Sequence, residues 1–274
     1  MKITPEIRKL RDDIYTTTGM AVRESRIDML ANRVKERIEK LNLVNEKDYL
    51  RYLFVDRSGI ELGELISSLV ISETYFFREY DQLQLFAEEL LLQTIKKKRA
   101  RGDKHINLLS AGCATGEEPY TLAIILKEML SDFQSWNILI DGVDINPYSL
   151  EKARSGVYTS HALREIPYLY RDHCFARTDS NTYQLNNDIK KMVRFTQVNL
   201  YKQAEVASLY RYDFVFCRNV MIYFDHISAA RALENLYEVM KPEAFVFLGS
   251  AESVSRISNL FNMVRCGKNF LYQK

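Results

Sequence analysis

The stretch Ser110-Ala111-Gly112-Cys113-Ala114-Thr115-Gly116-Glu117-Glu118-Pro119 decides the fold of this chain of 274 residues. It follows an apolar run at 106–109, which predicts a short buried strand. Pro119 suits the first turn of a helix, which we expect to run to about residue 130. A strand, a glycine turn and a helix in this order predict the first unit of a parallel α/β sheet.

The same alternation continues to the end of the chain. Further apolar runs predict strands at 138–143, 193–198, 214–217, 245–248 and 270–272. Helices are expected at 147–154, after the capping residue Asn146, and at 228–240, where Pro242 ends the pattern. Strands that alternate with helices predict a doubly wound, parallel sheet. The segment at about 156–192 is too long for a simple connection and contains short strand-like runs, so we expect a small β-subdomain with antiparallel strands there.

The first hundred residues have a different pattern. Residues 1–71 predict helices, and 24–41 is the clearest because its apolar residues recur with the period of a helix. Another helix is expected at 79–99. Together these patterns predict a helical N-terminal domain at 1–71, a linker and connecting helix at 72–103, and an α/β domain at 104–274.

The helix at 24–41 also carries a basic stripe. Its members are Arg26, Arg33, Arg37 and Lys40, about a quarter turn from the apolar face. We expect packing to leave these cations free, as a docking surface for an acidic partner. The alternative is a solvated helix face that binds nothing.

The composition excludes several classes of protein. With 47% hydrophobic and 27% charged residues, the chain is globular rather than disordered. Its net charge of +2 is too balanced for a protein that coats nucleic acid. No apolar run approaches the roughly 18 residues of a membrane span, and the start lacks the apolar core of a signal peptide. The four cysteines form no CxxC and the four histidines no HExxH, so no metal site is expected. We expect a cytoplasmic protein that neither enters the membrane nor binds nucleic acid.

A ligand of a doubly wound sheet binds beyond the carboxyl ends of the strands, where the glycine turn lies. The pattern Gly112-x-x-x-Gly116 is neither GxGxxG nor a phosphate-binding P-loop. Glu117 and Glu118 stand at the start of the following helix, where a phosphate would need positive charge. The site therefore favours a cationic ligand without phosphate.

Other polar residues are expected at the same edge of the sheet. Asp144 ends the second strand and can accept both ribose hydroxyls, although it could also be a capping acid. Asn199 can bind an adenine edge, or be an ordinary turn residue. Cys217 and Arg218 offer backbone carbonyls, and Tyr223 is either functional or part of the core. A nucleoside with a positive charge and no phosphate fits S-adenosylmethionine.

Three long motifs resemble those of the bacterial chemotaxis receptor glutamate methyltransferases. They are Ser-Glu-Thr-Tyr-Phe-Phe-Arg-Glu at 72–79, Ser-Ala-Gly-Cys-Ala-Thr-Gly-Glu-Glu-Pro-Tyr at 110–120 and Cys-Arg-Asn-Val-Met-Ile-Tyr-Phe at 217–224. Shorter matches, at Asp144-Ile145-Asn146, at 153–158 and at Asn199-Leu200, occur in the same order. The resemblance extends from about residue 8 to the C-terminus.

This resemblance implies a class I S-adenosylmethionine-dependent methyltransferase fold with a small β-subdomain, preceded by an all-α domain. It implies methyl transfer to glutamates on the cytoplasmic helical bundle of transmembrane chemoreceptors, with S-adenosylhomocysteine as product. The residues implied to contact the cofactor are Thr74, Arg78, Glu117, Asp144, Asn199, Leu200, Cys217 and Arg218. Arg78 and Tyr223 are implied to face the transferred methyl group.

Two departures from the family pattern bear on the site and the partner. Ser72 stands where the family often has asparagine, so the hydrogen bond of that asparagine is not expected to carry over. The region 175–185 lacks the glycine-rich insertion of members that bind a C-terminal receptor pentapeptide. We therefore expect a monomer without such tethering.

Two other functions remain open at this point. One is methyl transfer to another acceptor, although the Asn/Asp-Pro-Pro-Tyr motif of amine and base methyltransferases is missing after the fourth strand. The other is a non-catalytic module that binds S-adenosylmethionine. A glutamate acceptor is already ionised at pH 7, with a pKa of about 4.3, and needs no general base. Arg78 can orient such a carboxylate. Its alternative is a surface ion pair with Glu79 or Asp81.

Overall fold

The N-terminal part of the chain is a bundle of helices around its own core. The computed structural model describes residues 3–56, 58–70, 73–253, 259–266 and 269–274. The bundle consists of α1 (Pro5–Thr18), α2 (Ile27–Lys40), α3 (Glu46–Val55) and α4 (Ile60–Leu69). The Thr4 hydroxyl caps α1 by accepting from the Ile7 N–H, and the Asn45 side chain caps α3 in the same way. The predicted apolar stripe of α2 is buried at Ile27, Leu30 and Val34.

The prediction of a free basic stripe on α2 is wrong at Arg37. Its guanidinium is 12% exposed and lies 2.6 Å from Glu61 Oε2 and 2.9 Å from Glu64 Oε2, both on α4. Glu61 also accepts a hydrogen bond of 2.8 Å from the Tyr49 hydroxyl. Arg33 is neutralised as well, because it pairs with Glu36 at 2.8 Å. The periodicity of one helix does not reveal that the acids of a neighbouring helix face it.

The connecting helix is irregular in the middle. It begins as α5 (Tyr80–Leu85), widens into a π-helical turn at Phe86–Leu91 and continues as α6 (Leu92–Ala100). The Phe86 ring, in the wide turn, is fully buried and packs edge-to-face on Phe214 and Phe216 of the sheet. This anchor holds the linker against the α/β part of the chain.

The main sheet contains seven strands in the described part of the chain, in the order β6-β2-β1-β7-β8-β10-β9. Their bounds are β1 His105–Ala111, β2 Asn137–Asp144, β6 Val193–Gln197, β7 Tyr212–Cys217, β8 Met240–Leu248, β9 Asn262–Cys266 and β10 Asn269–Gln273. The first five in chain order are parallel, while β10 runs antiparallel to both β8 and β9. All six predicted strands are confirmed. The strand β9 was not predicted from the sequence. Pro242 was expected to end the preceding helix, but it lies inside β8.

Helices cover both faces of this sheet. They are α7 (Glu117–Met129), α8 (Pro147–Ser155), α11 (Gln203–Ala207) and α12 (His226–Glu238). One face is covered by α7, α8 and the connecting helix, and the other by α11 and α12. The chain leaves β1 towards β2 and β6, and later returns to add β7 and β8 on the other side. This reversal of strand order opens a crevice between the loops that follow β1 and β7.

A small antiparallel sheet confirms the predicted excursion between β2 and β6. It consists of β3 (Val157–Thr159), β4 (Phe175–Arg177) and β5 (Thr182–Leu185), in the order β3-β5-β4, with the helices α9 (Tyr168–Cys174) and α10 (Asn187–Lys190) beside it. Phe76 of the linker packs edge-to-face on Tyr158 and Phe175 of this sheet. No helix in the described ranges has both the length and the apolarity that crossing a membrane would require.

The buried ion pair of Arg37 predicts a large difference between two neighbouring arginines. Arg37→Ala leaves Glu61, which is 4% exposed, without its cation, and should reduce the free energy of unfolding by about 3–5 kcal/mol. Arg33→Ala removes a solvent-exposed pair and should cost about 1 kcal/mol or less. Urea unfolding followed by circular dichroism measures both. Equal losses would contradict the assignment of Arg37 to the core.

Candidate active site

A cavity of about 210 Å³ lies at the carboxyl ends of the parallel strands. The predicted site residues that line it are Thr74, Arg78, Asp144, Asn199, Leu200, Arg218 and Tyr223. Thr18, Met20 and Ile66 of the helical bundle line it as well. Glu117 and Cys217 do not reach its wall, since both are buried behind it. Ser72 lies outside the described residues.

The glycine turn after β1 forms one wall of the cavity. Gly112, at φ 76°, and Gly116, at φ 93°, both adopt the left-handed conformation that favours glycine. A Cβ at Gly112 would lie 2.4 Å from Cγ2 of Val220, in the loop after β7. Glycine therefore allows the two loops to approach each other at the crevice.

Asp144 is fixed at the end of β2 by two backbone amides. Its Oδ2 accepts from the Ala114 N–H and its Oδ1 from the Asn146 N–H, each at 2.9 Å. Burial raises the pKa of this carboxyl, while the amide donors oppose that rise. Each oxygen keeps a further lone pair, so the carboxylate can accept two additional hydroxyl groups. This arrangement fits a ribose at the cavity wall.

The two glutamates at the start of α7 have different surroundings. Glu117 accepts from the Thr115 hydroxyl at 2.8 and 2.9 Å and from the Thr74 hydroxyl at 3.4 Å, and burial raises its pKa. Glu118 lines the cavity, although only Glu117 was expected to contact the cofactor. Successive helical residues point about 100° apart, so two adjacent glutamates carry no local signal for which of them reaches the cavity.

Glu118 also joins three segments of the site. It accepts a hydrogen bond of 2.6 Å from the Ser110 hydroxyl and another of 2.6 Å from Arg218 Nε. Arg218 in turn donates from Nη1 to the backbone carbonyl of Arg78 at 2.9 Å. The end of β1, the start of α7, the end of β7 and the linker are thus connected by one polar chain.

Arg78 presents its guanidinium at the cavity wall. It donates to the Glu73 carbonyl and lies over the Tyr75 ring, with 5.8 Å from Cζ to the ring centroid. Within the described ranges no carboxylate forms an ion pair with it, so the alternative pairs with Glu79 or Asp81 are not observed. The guanidinium is therefore available to an anionic group.

Asn199 is 5% exposed and is held by the protein itself. Its Nδ2 donates to the Thr17 carbonyl at 2.7 Å, and its Oδ1 accepts from the Tyr201 N–H at 3.0 Å. The donor of the amide thus fastens the loop after β6 to the end of α1, and the acceptor stabilises the turn within that loop. The neighbouring Leu200 supplies apolar surface to the cavity.

Tyr223 lies at the junction of two cavities. A second cavity of about 100 Å³ shares Met20, Ile222 and Tyr223 with the first. The guanidinium-bearing residues Arg23 and Arg26 also line this second cavity. The Tyr223 carbonyl accepts a hydrogen bond of 2.9 Å from the Ala21 N–H, which ties the residue to the helical bundle.

Two family models match almost the whole chain. The model described as "CheR methyltransferase, SAM binding domain" matches residues 72–270, and "CheR methyltransferase, all-alpha domain" matches residues 5–70. The chain belongs to the CheR methyltransferase family. It is therefore a methyltransferase with the expected class I fold, and its cofactor is S-adenosylmethionine. The resemblance found in the sequence is confirmed, and the non-catalytic alternative is not supported.

Named relatives agree with this assignment. Chemotaxis protein methyltransferase 2 of Vibrio cholerae is 37% identical, over 97% of this chain and 91% of that protein. The chemotaxis protein methyltransferase of Escherichia coli is 30% identical, over 93% of this chain and 87% of that protein. The probable biofilm formation methyltransferase WspC of Pseudomonas aeruginosa is 30% identical, but only 51% of its length is matched.

The close approach at Gly112 predicts a defect in cofactor binding. Gly112→Ala should push Val220 out of position and lower the affinity for S-adenosylhomocysteine about tenfold or more, equivalent to at least about 1.4 kcal/mol. Gly102→Ala is the matched control, because Gly102 has a similar φ of 69° but no atom within 4 Å of the added Cβ. Isothermal titration calorimetry should show the loss in the first variant alone. If both variants lost a similar amount of affinity, the cause would be backbone strain and not the contact with Val220.

Proposed function

We propose that this methyltransferase esterifies glutamate side chains on the cytoplasmic helical bundle of bacterial chemoreceptors, with S-adenosylhomocysteine as the product. The observation that carries the proposal is the charge around Tyr223. The charged residues that line the second cavity are two cations, Arg23 and Arg26, and Arg78 lines the first. The acids that line the first cavity are Glu73, Glu118 and Asp144, and no histidine or lysine of the described residues lines either cavity. Such a site suits an acceptor that arrives as an anion and needs no base. The names of the relatives support a chemoreceptor as its source.

The cofactor residues follow from the same cavity. We propose that Asp144 accepts the ribose hydroxyls and that Thr74, Asn199, Leu200 and the Arg218 backbone hold the remaining parts. Cys217, which was expected to contribute its carbonyl, is buried behind the cavity wall and supports the Arg218 backbone from there. Glu117 was expected to face the cationic end, but it lies behind the cavity wall, where it binds the hydroxyls of Thr115 and Thr74, while Glu118 lines the cavity. We propose that Glu118 is the acid nearest the cationic end and that Glu117 supports it. When bound, S-adenosylmethionine supplies a methyl group on a positively charged sulfur, which a carboxylate oxygen can displace directly.

The acceptor residues have orienting roles. The planar Arg78 guanidinium can bind both oxygens of a glutamate carboxylate and hold one of them towards the cofactor cavity. Tyr223 lines both cavities, and its hydroxyl is assigned to fix the reacting end of the site. Because a glutamate is already ionised at pH 7, most of the catalytic effect comes from positioning and from exclusion of water.

We propose that the chain is divided into the domains that its sequence predicts. Residues 1–71 form the helical domain, 72–103 the linker and connecting helix, and 104–274 the methyltransferase domain with its β-subdomain at about 156–192. The enzyme acts as a monomer in the cytoplasm and without pentapeptide tethering. The short β4–β5 connection, which contains no glycine, supports the absence of a tether.

The role of Asp144 predicts a selective loss of cofactor affinity. Asp144→Ala removes a charged acceptor, whose hydrogen bonds are worth about 1.5–3 kcal/mol, and should weaken S-adenosylmethionine binding roughly 10- to 150-fold. Asp141→Ala is the control, since Asp141 is buried on the same strand and pairs with Arg194 away from the cavity. It should reduce stability but not affinity. Unchanged binding by calorimetry after Asp144→Ala would refute the ribose contact.

The acceptor is tested with cytoplasmic fragments of receptors and methyl-labelled S-adenosylmethionine. Wild-type enzyme should form methyl esters that release methanol in alkali, whereas base-stable products would indicate another acceptor. Arg78→Lys keeps the charge but loses the planar fork, so methyl transfer should fall more than cofactor affinity. Arg164→Lys is the control, because Arg164 also stacks on Tyr75, at 3.7 Å, but does not line the cavity. Equal losses of transfer and affinity in Arg78→Lys would make Arg78 only a cofactor ligand.

A further inference from the structure

The loop that carries Tyr223 is held by a carboxylate from another part of the chain. Glu252 follows β8, yet its Oε2 accepts from the Asn219 N–H at 2.9 Å and its Oε1 from the Ile222 N–H at 3.2 Å. Oε2 also accepts from the Gly249 N–H at 2.8 Å. One side chain therefore binds the loop after β7 and the loop after β8 together.

The loop needs this support because its first turn is unusual. Asn219 has a φ of 60°, which only a few per cent of residues other than glycine adopt. Such a conformation persists where surrounding contacts hold it. The neighbouring Gly249 leaves the necessary space, since a Cβ there would lie 2.6 Å from Asn219 Nδ2 and 3.0 Å from Glu252 Oε2.

Glu252 is balanced by backbone dipoles rather than by a cation. No lysine or arginine within the described ranges pairs with it, and burial raises the pKa of its carboxyl against the effect of the N–H donors. A carboxylate that binds backbone amides in this way fixes the direction of each N–H. The positions of Asn219 and Ile222 are therefore set immediately before Tyr223.

We propose that Glu252 is a positioning residue of the methyl-transfer site, which holds Tyr223 in place through the backbone of 219–222. The proposal rests on the role of Tyr223 in the proposed function. Glu252 itself does not line either cavity, so it acts through the loop and not on the cofactor or the acceptor. It belongs to the reaction because the loop that it holds begins at Arg218 and ends at Tyr223.

The kinetic test separates positioning from general damage to the fold. Glu252→Gln keeps the shape but turns an amide N–H₂ towards backbone donors, so kcat for receptor methylation should fall roughly 10- to 100-fold, with a clearly smaller effect on KM for S-adenosylmethionine. In a Tyr223→Phe background the same change should cost little more, because both variants act on one group. A full additional loss in the double variant, or an unchanged kcat in the single variant, would overturn the proposal. Glu252→Asp, which keeps the charge, should restore part of kcat.

A second measurement does not depend on activity. Hydrogen–deuterium exchange should be faster in peptides covering 218–224 of Glu252→Gln than in wild-type enzyme. Asp213→Asn is the control, since Asp213 also accepts a backbone N–H, from Asn107 at 2.8 Å, but near the opposite end of β7. It should leave exchange at 218–224 and kcat unchanged. Unaltered exchange in Glu252→Gln would overturn the proposal, whereas a wild-type enzyme inactive on receptors would overturn only the proposed acceptor. If Glu252→Gln does not fold, Glu252→Asp is used for both measurements. Its side chain is shorter by one methylene, so we expect a smaller loss of kcat and a smaller increase in exchange relative to wild-type enzyme.

Discussion

The ion pair between Glu118 and Arg218 is the interaction on which the site depends. Both side chains are largely removed from water, and such a pair is tolerated only where every partner is satisfied. Here Ser110 binds the second oxygen of Glu118, and the Arg78 carbonyl binds the guanidinium of Arg218. A parallel sheet brings the ends of β1 and β7 near each other. These hydrogen bonds then hold the two ends in one arrangement. The pair also sets where the linker passes the cavity, and with it the position of the Arg78 side chain.

Much of the α/β fold could be predicted because strands of a parallel sheet are buried on both faces. β7 is accordingly apolar except for Asp213, and four of the seven residues of β1 are apolar. β9 was missed since it is an antiparallel edge strand in which Asn262 and Arg265 interrupt the apolar pattern. Local patterns therefore reveal elements that bury both faces better than elements that bury one.

The candidate site was predictable to the extent that its residues occur in short motifs. Asp144, the last residue of β2, and Tyr223, in the loop after β7, both line the cavity, as expected of residues at the carboxyl ends of parallel strands. The cofactor contact was assigned to Glu117 rather than to Glu118, because the rotation of a helix about its axis is set by packing. The error at Arg37 and the omission of Glu252 have a common cause. Arg37 pairs with Glu61 and Glu252 binds Asn219, and in each case the partner is distant in sequence. The periodicity of a single helix or strand cannot reveal such a partner.

The helical bundle is part of the site rather than an attachment to it. Thr18, Met20 and Ile66 form cavity wall, and the Ala21 N–H binds the carbonyl of Tyr223. The residue beside the proposed reaction thus shares a hydrogen bond with the segment between α1 and α2. Any hinge motion that lifts α1 from the sheet must break that bond and the one between Asn199 and Thr17. The motion that opens the cavity therefore also releases Tyr223 from its hydrogen bond. An enzyme with an open cavity is consequently one in which Tyr223 is no longer aligned.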